Sequence, residues 1–229
     1  LQLRQVQVAP VDVILQAEGM SVILLSSAFQ YNPAGRLGWV EYAPYAWTNL
    51  SGGADGTIRS LLLSTNGLLY AGGLFVTASG STSRYASVWD GRSWTNFGSG
   101  LNSYVYAAAF GLDGRYYVGG AFGTAGGGSA SRIAVWNGQW WTNLGSGMNG
   151  DVSSLAVGTN GELYAGGSFT NAGGQPAAYI AKWDGASWTN LGAGFNAAVQ
   201  ALAVGANGEL YAGGSFTNSG ALGARYIAK

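Results

Sequence analysis

A tryptophan that opens the triplet Trp-Thr-Asn stands at Trp47, Trp94, Trp141 and Trp188, each 47 residues after the last. A period this constant admits few folds. A unit of roughly 40 to 50 residues that reads as four short strands buries its apolar faces only by stacking on copies of itself, as the blades of a β-propeller do.

Within the period the order of features is fixed. An apolar strand begins at Ile58, Val105, Val152 and Val199, and a turn pair follows at Asn66-Gly67, Asp113-Gly114, Asn160-Gly161 and Asn207-Gly208. Such pairs predict a type I′ hairpin with positive φ at both residues, so the first two strands are antiparallel neighbours. Next comes an aromatic-Gly-Gly strand: Tyr70, Tyr117, Tyr164 and Tyr211 precede glycine pairs, and Phe75, Phe122, Phe169 and Phe216 follow them. Polar connections, Thr77 to Ser83, Thr124 to Ser131, Thr170 to Ala178 and Thr217 to Ala224, lead to a third strand ending at Trp89, Trp136 and Trp183. A second turn (Asp90-Gly91, Asn137-Gly138, Asp184-Gly185) returns the chain into an outer strand that carries the landmark tryptophan.

The spacing predicts an all-β chain: a single five-bladed β-propeller over 1–229, with four-stranded blades and the ring closed by the N-terminal strand. Residues 1–10 are the closing strand, 11–50 a diverged blade, 51–97, 98–144 and 145–191 complete blades, and 192–229 a last blade without its own outer strand. Five repeats of 47 exceed the 229 residues by about one strand, which residues 1–8 would supply. Small residues on the inner strands, among them Ala107, Ala108, Ala109, Ser153, Ser154 and Ala201, suit the narrow centre of a five-bladed ring. The closing strand donated to a neighbour would instead give a head-to-tail filament, because a heterologous contact that does not close propagates. The chain begins at Leu1, as a processed form or a piece of a longer protein would.

Composition narrows function by exclusion. Ten basic and ten acidic residues cancel, and no basic patch is visible, so nucleic acid is not expected as a partner. No apolar run is long enough to cross a bilayer as a helix. With neither histidine nor cysteine, the chain lacks the commonest general base, the commonest transition-metal ligand and every disulfide.

The glycine pairs lie inside a strand rather than at a strand-to-helix turn. They therefore read as close backbone packing beneath a large aromatic, not as a phosphate cradle. Seven tryptophans at repeat positions read as core between blades, which leaves Trp39 and Trp140 off the landmark positions and Trp140 as the candidate exposed aromatic. Asp90, Asp184, Glu162 and Glu209 sit in or beside turns and need no metal. Asp55, Asp151 and Glu41 are the remaining acids considered for a carboxylate pair, and no spacing supports one. No cofactor and no metal is expected, and no catalysis.

LYAGGSFT, YIAKWDG and SWTNLG together resemble the kelch repeat. The fuller wording is similar to the kelch-like propellers of cell-surface proteins related to the fungal polarity marker Rax2, and to repeats in secreted bacterial proteins. The resemblance covers 58–229 well and 11–50 weakly, and it implies a secreted or cell-surface, non-catalytic interaction module. Galactose oxidase, another kelch-type propeller, works through histidine-held copper and a cysteine-linked tyrosine, and neither residue type occurs here. Residues 90–94 resemble the Asp-box of sialidases but lack the residue between Asp and Gly.

Functional contacts concentrate on loops that a rigid frame positions. Thr170, Asn171, Thr217 and Asn218, with Trp140, are accordingly the candidate ligand-binding residues. The partner expected is a protein or a further copy of the chain. A multivalent, lectin-like propeller taking glycan at one pocket per blade is the second reading.

Overall fold

The computed structural model describes residues 13–17, 20–24 and 49–229. The chain divides into two compact units, Leu1–Thr48 and Asn49–Lys229. In the first unit, Val13–Ala17 pairs antiparallel with Met20–Leu24, Ala17 lying opposite Met20. Residues 1–8, Trp39, Glu41 and Trp47, on which expectations were placed, lie outside the described residues.

The second unit is built of successive antiparallel sheets in which strands pair in sequence order, as propeller blades require. The first repeat forms Ile58–Leu63, Leu69–Gly73, Ala86–Trp89 and Trp94–Asn96. The second forms Val105–Phe110, Tyr116–Gly120, Ile133–Trp136 and Trp141–Asn143. The third forms Val152–Val157, Leu163–Gly167, Ile180–Trp183 and Trp188–Asn190. The last has three strands, Val199–Val204, Leu210–Gly214 and Ile227–Ala228.

The hairpins fall where the Asn-Gly and Asp-Gly pairs place them, but their turns are not type I′. Glycine alone is left-handed, with φ of 83°, 78°, 86° and 81° at Gly67, Gly114, Gly161 and Gly208, while the preceding Asn or Asp is not. The loop length decides this. In the third repeat Gly161 N–H donates to Gly158 O and Gly158 N–H to Glu162 O (2.9 and 2.8 Å), which is a three-residue loop whose final glycine forms a bulge.

The two glycines of each pair have separate tasks, and the nearest neighbour of each would-be Cβ is a valine side chain or a backbone carbonyl. A Cβ on Gly72 or Gly166 would stand 2.6 or 2.5 Å from Cγ1 of Val105 or Val199, the valine that opens the next repeat's inner strand. Gly119 faces Val152 in the same way. The second glycine (Gly73, Gly120, Gly167, Gly214) has no room because the carbonyl preceding its own inner strand crosses it. Successive sheets thus lock valine into glycine.

The core lies between sheets. Val105, Phe122 and Trp141 of the second repeat pack with Ala86 and Phe97 of the first, and Val152, Phe169 and Trp188 of the third with Ile133 and Leu144 of the second. Phe75, Phe122, Phe169 and Phe216 are all buried. Each landmark indole also ties back one repeat: Trp94, Trp141 and Trp188 donate Nε1–H to the carbonyls of Leu50, Phe97 and Leu144 at 3.1, 3.0 and 2.9 Å. Trp89, Trp136 and Trp183 are only half-buried, each against the following landmark tryptophan, tilted for Trp89 and Trp183 and edge to face for Trp136.

Candidate functional site

The connections between second and third strands, expected as polar loops, are small β-ribbons. Asn171–Ala172 pairs with Gln175–Pro176, and Asn218–Ser219 with Leu222–Gly223. One inward residue pins each of the first three, since Ala78, Ala125 and Ala172 are buried and bridge Ala54, Leu101 and Met148. Thr170 and Asn171 serve this frame through their backbones: both N–H groups donate to Asn149 Oδ1 (2.9 and 2.8 Å), and Asn149 Nδ2 donates to Thr170 Oγ1 (2.9 Å). Thr217 and Asn218 repeat the arrangement on Asn196, each at 2.9 Å. Asn102 does the same for Gly123 and Thr124, and Asp55 for Val76 and Thr77. This 47-residue series of Asp55, Asn102, Asn149 and Asn196 was open to view in the sequence.

Trp140 is 57% exposed. It lies on the turn between third and outer strands, and antiparallel order puts that turn at the opposite end of the sheets from the ribbons. The structure therefore does not bring Trp140 together with the four loop residues.

The seven acids among the described residues are each held locally. Asp90 Oδ1 accepts from Arg92 and Ser93 N–H, and Asp184 Oδ1 from Ala186 and Ser187 N–H, all at 2.8 Å. These backbone donors hold both carboxyls below their ordinary range, as those of Thr77 and Val76 do for Asp55. Glu162 and Glu209 take Lys182 and Lys229 at 2.7 Å, and those ammonium groups are the leading cause of their lowered pKa values. Asp113 pairs with Arg115 and Asp151 with Arg132, both at 3.2 Å. Asp55 and Asp151, considered together in the sequence, have separate partners.

The ribbon end carries two features that periodic reading missed. One is a cleft of about 330 Å³ lined by Thr82, Ser83, Arg84, Asn96 and the Gly98–Gly100 turn. Beneath it the buried Ser83 hydroxyl donates to Ser87 Oγ (3.3 Å), which donates to Thr95 O (2.8 Å). The second and third repeats have Ala130, Ala134, Ala177 and Ala181 at those serines, and Ser131 and Ala178 at Arg84.

The other feature is a ridge of tyrosines where inner strands begin. Tyr85 meets Tyr104 edge to face, with centroids 5.7 Å apart at 77°, and Tyr104 lies 6.4 Å from Tyr106. The Arg132–Asp151 pair occupies the equivalent place at the following repeat boundary. Partial burial raises the Tyr106 phenol pKa, and Asp151 and Tyr104 nearby add to this while Arg59 and Arg132 oppose it. Tyr85 (φ 73°) and Arg132 (φ 66°) occupy one left-handed position that recurs at Tyr179 and Tyr226.

No family model and no curated protein matches this chain. Solved structures do. The extracellular domain of the one-component system BT4673 from B. thetaiotaomicron aligns with a TM-score of 0.49 and 12% identity, over 70% of this chain and 20% of that one. A structure of the extracellular domain of the hybrid two-component system BT4673 gives 0.45 and 12%, over 70% and 20%. The gluconolactonase XC5397 from Xanthomonas campestris gives 0.43 and 14%, over 71% and 56%. The present chain thus spans about a fifth of the BT4673 chains, and at these scores neither activity nor ligand passes to it. No helix among the described residues is long and apolar enough to cross a membrane.

Proposed function

We propose that the chain is a rigid, non-catalytic interaction module, a kelch-like β-propeller of five blades closed by residues 1–10 and secreted or displayed at the cell surface. Its partner is a protein or a further copy of the chain. The observation that carries the reading is the commitment of the acids. All seven carboxylates among the described residues serve turns, ribbons or ion pairs, in a chain without histidine or cysteine. General acid–base or nucleophilic chemistry needs a group released from such duty and tuned toward neutrality. None of the five carboxyls with a resolved shift moves upward.

The placement outside the cytoplasm rests on the repeat wording. A lectin with one equivalent pocket per blade is the competing reading, and the replacement of Ser83 and Arg84, which line the cleft, by Ala130 and Ser131 and by Ala177 and Ala178 in the other complete repeats tells against it. A glycan array followed by calorimetric stoichiometry separates them. The module reading expects no more than one saccharide per chain, and several equivalent sites would overturn it.

A further inference from the structure

We propose that Tyr85, Tyr104 and Tyr106, with Arg59 and the Arg132–Asp151 pair, form a single binding site for an anionic sugar, a hexuronate residue at or near the end of a glycan. This goes beyond the interaction-module reading, which stands whether or not a sugar binds.

The repeats supply an internal control. Frame positions are alike in all four clear repeats: a β-branched residue opens each inner strand, a tyrosine precedes each glycine pair, and a phenylalanine follows it. The ridge positions are not alike. Where the second repeat has Tyr104, the others have Thr57, Asp151 and Ala198; where it has Tyr106, they have Arg59, Ser153 and Gln200. Packing of the frame is satisfied by threonine, alanine or serine at these places. Tyr104 and Tyr106 therefore stand where the second repeat's inner strand begins for a reason other than the fold, while Tyr85 shares its place with Tyr179 and Tyr226 and the Arg132–Asp151 pair stands at the next boundary.

The site's chemistry is that of a saccharide subsite. Tyr104 keeps 41% of its surface in solvent although two other rings adjoin it, so an aromatic surface is open for the C–H face of a pyranose. Arg132 Nε is shielded from water and lies 3.2 Å from Asp151 Oδ1, yet its N–H finds no acceptor in line. Asp151, 40% exposed, keeps acceptor capacity for a ring hydroxyl. Arg59 is exposed and has no ion-pair or hydrogen-bond partner among the described residues. Two guanidinium groups against one carboxylate leave a local positive charge, and a planar guanidinium matches a sugar carboxylate in two hydrogen bonds. A neutral hexose would leave that charge unanswered. A stable protein interface would need about 800 Å² on each partner, several times what three tyrosines expose.

Titration of the full chain with a galacturonate hexasaccharide, and with its neutral galactose counterpart, tests this. One hexuronate chain should bind per protein, more weakly as salt rises, and with a change in tyrosine fluorescence. Tyr104→Ala should weaken binding roughly ten-fold or more, and Tyr104→Phe should restore most of it. Arg59→Gln, an exposed change that leaves the fold intact, should erase the preference for the charged over the neutral sugar. Trp140→Ala should bind as wild type. Absence of binding at about 10 mM hexasaccharide overturns the proposal. So does equal affinity for the neutral sugar, undiminished binding in both Tyr104→Ala and Arg59→Gln, or binding of an acidic peptide in place of the uronate.

Discussion

Gly166 shows how much a single hydrogen can decide. Its φ is ordinary, so another residue is excluded only by space, and that space is filled by Val199 of the next repeat, 2.5 Å from where a Cβ would stand. Gly166→Ala should destabilise by about 1–3 kcal/mol through overpacking between sheets, read as a lower urea midpoint at unchanged slope. Tyr116 is the opposite case. Its ring fills the place of Leu69, Leu163 and Leu210 in the other repeats, and its hydroxyl is buried without a partner. Burial raises its pKa far above the ordinary phenol range. Tyr116→Phe removes an orphaned polar atom and should leave stability unchanged or raised by up to about 1 kcal/mol, read from the melting temperature; a clear loss of stability would show that the hydroxyl is satisfied. The turn and ribbon carboxyls set a pH dependence. Asp55, Asp90 and Asp184 are depressed below the ordinary 3.8 by backbone donors, so the stability they add is complete above about pH 5 and is lost as pH falls through the lower folded values. Asn102 and Asn137 make the same bonds without a charge. The triple Asp→Asn variant should therefore lose less stability than wild type between pH 5 and about pH 3, and equal acid losses would refute the assignment.

Among the elements, the hairpins tie sequence to register most directly. Gly161 has open space around it, its nearest contact being Leu112 Cδ1 at 3.6 Å, so only its φ of 86° excludes other residues. Gly161→Val should cost about 1–2 kcal/mol through strain alone, and Gly161→Asn distinctly less. A valine variant that melts with wild type would remove the bulge from the account. Strand order and strand ends were legible because the apolar period, the turn pairs and the tryptophans recur in phase. The turn type was not, because the dipeptide marks where a hairpin turns, while the number of residues between paired ends fixes how. The ribbons were hidden for a related reason: at most one residue of each, such as Ala125 or Ala172, is buried, too little to show alternation. The tyrosine ridge was invisible to periodic reading because Tyr104, Tyr106 and Arg132 stand where the repeats differ. The loop residues Thr170 and Thr217 drew attention as polar and exposed, and their backbone N–H groups turn out to be engaged by Asn149 and Asn196.

At the scale of the whole molecule, closure is tested at the last sheet. Its third strand, Ile227–Ala228, has no fourth beside it among the described residues, and Ile227 is 69% exposed. Gly213 holds the place that receives a valine in the three preceding repeats, but the nearest atom to its would-be Cβ is Tyr226 O at 3.7 Å. A closed five-bladed ring, as proposed, brings a fourth strand to that edge from residues 1–8 and an inner strand against Gly213. Two independent changes then report on it. Deletion of residues 1–8 should lower the melting temperature and cause concentration-dependent self-association, since a bared edge pairs with any available strand. Gly213→Ala should destabilise as Gly166→Ala does, by about 1–3 kcal/mol, because the same valine-into-glycine contact would be crowded. If strands are instead donated between molecules, the deletion should dissolve a polymer that the full chain forms, since a heterologous contact that does not close propagates. An open arc predicts neither effect. A truncated chain that stays monomeric at the wild-type melting temperature, together with a neutral Gly213→Ala, would show that the sheets stack without returning on themselves.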